Sequence, residues 1–358
     1  MACWSDASDT PDTADSAKPD AVRTRLLIIS DTHGAPVTIG PNLDADVAIH
    51  CGDLTRESKL AEFQTAIDLL RSIHAPLKLV IAGNHDFALD TPVFQKKVDD
   101  ARRLQGIGRK LIAYDYGEYG EARRLFDEAK DAGIVFLDEG NHDFFLGNGA
   151  LLKVYASPFT PSLGDWAFQY TPQQGHQFAI AEGTHIAVTH GPPLGICDYT
   201  QARVRAGCPS LFGAVARSKP LLHCFGHIHE GWGARLVSWR DPLSQNPSHF
   251  TDIDNHRSTM IETLSTFRAK SREWTEREGG CVKAKHGSRD ILPICPGRQT
   301  LFVNAAVEDL CGQPPHLPWL VELELPRYTG KDPDVYPPGL ENVVGSGDTT
   351  TWGNYTKI

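Results

Sequence analysis

Residues 26–33 read Leu-Leu-Ile-Ile-Ser-Asp-Thr-His, four apolar residues in a row and then an abrupt change to polar ones. The unit recurs in Val47-Ala-Ile-His-Cys-Gly-Asp53, Leu77-Lys-Leu-Val-Ile-Ala-Gly-Asn84, His185-Ile-Ala-Val-Thr-His190 and Leu221-Leu-His-Cys-Phe-Gly-His227. Apolar runs of this length, without alternation, suit strands buried on both faces. Helical patterns lie between them. Over 57–73, Leu60, Phe63, Ile67 and Leu70 recur at spacings of three and four and form one apolar face. Residues 119–131 end before Gly133, and 209–218 form a further short helix candidate. Strands expected over 134–138, 151–156, 234–239, 301–305 and 319–325 complete an α/β alternation, with one core domain over 24–327.

The flanks differ in composition. Residues 1–23 are rich in Ser, Thr, Asp, Ala and Pro without periodicity, which predicts a disordered acidic tail. Residues 328–358 predict an irregular C-terminal tail. Residues 240–300, with scattered charges, Pro, Gly and Ser, predict a partly disordered insertion that the metal site can do without. The 358-residue chain carries a formal net charge of −10, so it lacks the basic footprint of a nucleic-acid backbone binder. No apolar run is long enough for a membrane span, and no secretory signal opens the chain. Its eight cysteines show no zinc-type spacing, and Cys51 and Cys224 fall inside apolar runs as buried thiols. An intracellular, cytoplasmic location is the expectation.

Every apolar run ends in side chains able to bind a metal: Asp31 and His33, Asp53, Asn84 and His85, His190, then His227 and His229. In α/β sheets, sites form beyond the carboxyl ends of the strands, so these groups are aimed at one rim. Imidazoles, carboxylates and an amide oxygen suit Mn, Fe, Zn or Co. Eight candidates exceed the needs of one ion and suit a dinuclear centre.

With Asp31-Thr-His33, Gly52-Asp53, Gly83-Asn84-His85-Asp86, His190-Gly and Gly226-His227-Ile-His229 in this order, the chain resembles the calcineurin-like metallophosphoesterases. His190-Gly-Pro-Pro-Leu-Gly, Ser157-Pro-Phe-Thr-Pro and Phe225-Gly-His-Ile-His-Glu-Gly-Trp-Gly233 are similar to the MPPED-type (metallophosphoesterase domain-containing) branch. The resemblance covers about 24–239 and 300–326. It implies a four-layered α/β/β/α sandwich of two mixed sheets. It implies two divalent metal ions (Mn, Fe or Zn), one on Asp31, His33, Asp53 and His229, the other on Asp53, Asn84, His190 and His227. His85 would protonate the leaving oxygen, with Asp86 orienting its ring. The implied activity is hydrolysis of phosphodiesters, cyclic nucleotides among them, by a metal-bridged hydroxide. A phosphomonoesterase or a non-catalytic scaffold are the alternatives.

Other residues carry weaker expectations. Gly140-Asn-His-Asp143 repeats Gly83-Asn-His-Asp86 letter for letter, but reads as a β-hairpin edge and is expected to bind no metal. Trp166, Phe168, Pro192 and Trp232 adjoin the motifs and pack in the core or receive an aromatic substrate group. Asp198 either supports the site or faces solvent, His223 points away from the rim, and Asp252, Asp254 and His256 are expected to be solvated.

Overall fold

The computed structural model describes residues 21–37, 39–40, 43–270, 280–308 and 315–329. Apart from 21–23 and 328–329, the two expected tails lie outside these residues. The first sheet begins with β1 (Ala21–Ile29), which pairs in parallel with β2 (Val47–His50). β3 (Leu77–Val80) and β4 (Ile134–Phe136) extend it, again in parallel. Across the chain come α1 (Leu60–Ser72), α2 (Thr91–Gln105), α3 (Arg109–Tyr116) and α4 (Glu121–Glu128). The second sheet is built on β5 (Gly140–Phe145), β6 (Leu151–Ser157), β9 (Ile186–Thr189) and β10 (Leu222–Phe225). A small parallel pair, β7 (Thr160–Pro161) and β8 (Gln169–Tyr170), stands apart from both sheets. α5 (Pro209–Ser218), β11 (Gly233–Ser238), β12 (Thr259–Thr263) and α6 (Leu264–Arg268) follow. β13 (Val282–Lys285), β14 (Gln299–Asn304) and β15 (Trp319–Pro326) close the described chain.

The strand orders are β13-β15-β1-β2-β3-β4 and β12-β11-β14-β10-β9-β6-β5. Both sheets are mixed, because β15 runs antiparallel to β1 and β11 antiparallel to β14. Side-chain alternation builds the layers. In β1, Leu26 and Ile28 join the core between the sheets, with Val188, Cys224, Val303 and Trp319. Leu27 and Ile29 face the other way and pack with Phe63, Ile67 and Leu70 of α1 and Phe126 of α4. On the far side, Leu211, Phe212 and Val215 of α5 cover Tyr155, Phe225 and Phe302. The result is the α/β/β/α sandwich. Cys51 and Cys224 are buried free thiols. Among the described residues no helix is long and apolar enough to cross a membrane.

Two expectations about boundaries need correction. Residues 21–23 belong to β1, with Ala21 opposite Pro326 and Val22 opposite Leu325. Alternating exposure along Ala-Val-Arg-Thr-Arg marks a half-buried strand end, not a tail. The segment 240–300 is no disordered insertion where it is described. It adds an edge strand to each sheet, β12 beside β11 and β13 beside β15. Val282 and Ala284 enter the core between the sheets, so the segment is not dispensable to the fold. Within it Asp252 is buried, not solvated. Its carboxylate accepts from the backbone N–H of Ser244 at 2.6 Å and of Ser248 at 2.8 Å.

Candidate metal centre

The carboxyl ends of β1, β2 and β3 in one sheet and of β9 and β10 in the other converge on one rim. A backbone bond ties the two sheets together there, Val307 N–H donating to Ser30 O at 2.9 Å, and within the second sheet Gly226 N–H donates to His190 O at 2.9 Å. Four of the side chains delivered sit on strained backbone, with positive φ at Asp31 (55°), His33 (46°), Asp53 (53°) and His227 (67°). Non-glycine residues rarely adopt this region, at a cost of about 1–3 kcal/mol each. Such strain persists where the surroundings over-determine it. A Cβ at Gly226 would overlap Asp31 Oδ2, and one at Gly83 would overlap the backbone N and Oδ1 of Asp53. Only glycine lets these loops approach the carboxylates so closely.

The donor atoms form a continuous chain. His229 Nε2 lies 3.2 Å from Asp31 Oδ1. His33 Nε2 lies 3.8 Å and His190 Nε2 3.4 Å from the same Asp53 Oδ2. His190 Nε2 is also 3.0 Å from Asn84 Oδ1. The ring of His227 meets that of His190 edge-on, with centroids 4.9 Å apart. Three overlapping groups each have donor atoms within 4.8 Å of one another: Asp31, His33 and His229; His33, Asp53 and His85; Asp53, His190 and His227.

Ring orientation is set by backbone carbonyls. His190 Nδ1 donates to Cys51 O at 2.9 Å and His33 Nδ1 to Thr55 O at 3.1 Å. A carbonyl accepts only, so each Nδ1 donates to it and each Nε2 is the nitrogen that faces the carboxylates, where a bound cation would take its lone pair. His229 Nδ1 is buried without a hydrogen-bond partner. Two donors about 2.1 Å from one ion stand about 3.0–3.4 Å apart at tetrahedral or octahedral angles. Most of the separations above match, so the residues present fit divalent metal.

Electrostatics agree. Burial alone would raise the carboxyls of Asp31 and Asp53, but His229 and His190 respectively hold them below the ordinary range. His190 would be lowered by burial, yet Asp53 and Asp31 push it up to about 9. His227 falls to about 4 through burial and the neighbouring His190.

The structure departs from the sequence reading at Asp86. Its carboxylate does not orient the ring of His85. Oδ2 accepts from the backbone N–H of Leu54 (3.1 Å) and Gly83 (2.8 Å), and Oδ1 from the N–H and hydroxyl of Thr55 (2.9 and 2.7 Å). Side chains of adjacent residues diverge, and Asp86 ties the Asp53 loop to the Asn84 loop instead. His85 Nδ1 donates to Arg56 O at 2.8 Å, and the His85 ring packs on Trp166 with centroids 4.2 Å apart.

Trp166 is 42% exposed beside the site, whereas Trp232 is core, its indole donating to Leu317 O at 3.1 Å. Asp198 is fully buried and accepts from Gly195 N–H at 2.8 Å and Arg205 at 2.6 Å, shaping the loop after His190. His223 hydrogen-bonds Thr189 Oγ1 at 2.8 Å, away from the metal-capable groups. In the repeated motif, Asn141 bonds the backbone of Ala179 and Ala181, and His142 bonds Asp138 O.

One site residue was missed. Glu308 reaches the rim from beyond β14, with Oε2 3.3 Å from His33 Nε2 and 3.8 Å from His229 Nδ1. Its other oxygen pairs with Arg56. The signal that located the rest was present here too, since Leu301-Phe-Val-Asn-Ala-Ala-Val-Glu308 is another apolar run ending in a carboxylate.

Known proteins bear on this geometry. The chain is 34% identical over 297 residues to a protein of Emericella nidulans named "Probable rhamnogalacturonate lyase C", covering 76% of this chain and 25% of that one. It is 32% identical over 228 residues to human "Metallophosphoesterase domain-containing protein 1", covering 61% of this chain and 64% of that one. The chain thus spans between a quarter and just under two thirds of these relatives' lengths. A solved purple acid phosphatase from yellow lupin covers 84% of this chain and 46% of its own at 10% identity, with a TM-score of 0.32, too slight a likeness to add weight. The family model described as "Calcineurin-like phosphoesterase" matches residues 24–231, a span that includes all eight metal-capable side chains of the motifs. The chain belongs to the calcineurin-like phosphoesterase family.

Proposed function

We propose that the chain is a phosphodiesterase that works with two divalent cations. Asp31, His33, Asp53 and His229 would hold one, and Asp53, Asn84, His190 and His227 the other. The carrying observation is Asp53, whose single Oδ2 faces both His33 at 3.8 Å and His190 at 3.4 Å, so one carboxylate serves both halves. Divalent cations at these ligands supply a Lewis acid for phosphoryl oxygens and a source of hydroxide at neutral pH.

The remaining work falls to side chains. His85 has Nδ1 committed to Arg56 O, so its proton traffic runs through Nε2. As imidazolium it donates there to the departing alkoxide. Trp166, packed on that ring and partly exposed, offers a face for a nucleobase or aryl arm of the substrate.

The charge inventory supports a diester. Arg56, the arginine beside the motif loops, is already paired with Glu308 and so is not free for the dianionic end of a monoester. A diester carries one negative charge and a second organic arm. The test compares kcat/KM for bis-aryl and 2′,3′-cyclic nucleoside diesters with that for p-nitrophenyl phosphate at identical manganese loading. The diesters are expected to be preferred, and a tenfold monoester advantage refutes the preference.

A further inference from the structure

The family match ends at residue 231, yet a carboxylate from far beyond it lies against the site. Glu308 is delivered by a fixed backbone. Ser30 and Ala306 form a bridge, and Val307 N–H donates to Ser30 O at 2.9 Å, stitching this segment to β1 next to Asp31. Arg56 holds Oε1, which leaves Oε2 turned inward.

What Oε2 meets is informative. His33 Nδ1 is committed to Thr55 O, so the nitrogen 3.3 Å from Glu308 is the one available to a cation. That separation falls within the about 3.0–3.4 Å expected of two donors on one ion. It matches His229 to Asp31 at 3.2 Å and His190 to Asn84 at 3.0 Å. An ordinary surface ion pair would not place its carboxylate between two buried imidazoles that already face Asp31 and Asp53.

We propose that Glu308 is a further metal ligand on the side formed by Asp31, His33, Asp53 and His229, binding a divalent cation through Oε2 while Oε1 stays with Arg56. The inference rests on the two-cation reading above. An added oxygen donor favours ions that accept five or six ligands, manganese or iron, over tetrahedral zinc.

The test is calorimetric titration of the metal-stripped full chain with Mn²⁺, for wild type, Glu308→Gln and His190→Ala. Wild type is expected to give two binding events. Glu308→Gln should weaken one of them about tenfold or more and spare the other, while His190→Ala should weaken the one that Glu308→Gln spares. In manganese-loaded wild-type crystals, Oε2 should lie within about 2.2 Å of the ion. Unchanged affinities in Glu308→Gln, or an Oε2 more than about 3 Å from the ion in loaded crystals, overturn the Glu308 assignment alone. A wild-type chain that binds no manganese overturns the two-cation reading and this inference with it.

Discussion

Replacing Asp53 with asparagine keeps the shape of the side chain and removes its charge. Oδ1 accepts the backbone N–H of His85 at 2.8 Å, a bond an amide oxygen retains. Oδ2 faces His190 and His33, where the amide would place an NH₂ group. Against the opposing effect of burial, Asp53 leads the groups that raise His190 from 6.5 to about 9. At about 1.4 kcal/mol per pH unit this rise corresponds to about 3 kcal/mol. It is a ceiling on the loss, because Asp31 and the Cys51 carbonyl share in the effect and His190 can shed its proton once unpaired. A fold worth about 5–15 kcal/mol survives such a loss. Metal binding should suffer more. Partners that only orient a ligand cost about 10–100-fold in affinity when removed, so a ligand shared by two ions should cost at least about 100-fold. The assay is urea unfolding in EDTA alongside metal content and kcat/KM at limiting manganese. The Asp53→Asn chain should unfold cooperatively, less stable by up to about 3 kcal/mol, and should be nearly inactive. Wild-type turnover at limiting metal would refute the shared-ligand reasoning.

Three further outcomes are expected. The metal-stripped chain should be most stable near pH 6.5. His190, raised to about 9, loses its contribution as pH climbs from 6.5 to 9, while His227 near 4 and His50 and His223 near 3, kept neutral by burial, oppose folding as pH falls below 6.5. A urea midpoint that rises between pH 7 and 9 contradicts this. Trp166→Ala should raise KM for nucleoside or aryl diesters by about 5–150-fold, the worth of one stacked base, and leave a dialkyl diester unaffected; equal effects on both would remove the stacking role. Asn84→Ala should cut manganese affinity about tenfold or more, whereas Asn141→Ala, in the repeated motif on the sheet edge, should leave it unchanged in the same titration.

The grouping of the candidate residues was legible in the sequence because buried parallel strands announce themselves as apolar runs, and their carboxyl ends share a rim. That logic located Asp31, Asp53, Asn84, His190 and His229 together although they are scattered over two sheets. It stopped short at Glu308 because the run from Leu301 was followed only as far as the strand. Asp86 was misread because the resemblance implied a contact that the diverging side chains of adjacent residues do not make; one of its four bonds, from Gly83, is local, but the three to Leu54 and Thr55 depend on tertiary proximity. β12 and β13 were invisible for another reason. Val-Lys-Ala-Lys over 282–285 alternates buried and exposed, but four residues in a polar setting become a strand only when the edge of β15 is there to pair with.

Whether Asp53 joins two cations in one centre is decided by metal analysis combined with electron paramagnetic resonance of the full chain reconstituted with Mn²⁺. Two manganese ions per chain and an exchange-coupled spectrum, the mark of ions about 3.5–4 Å apart, are expected, with the coupling lost in Asp53→Asn. One ion or none per chain, or two ions whose spectra show no coupling, would contradict it.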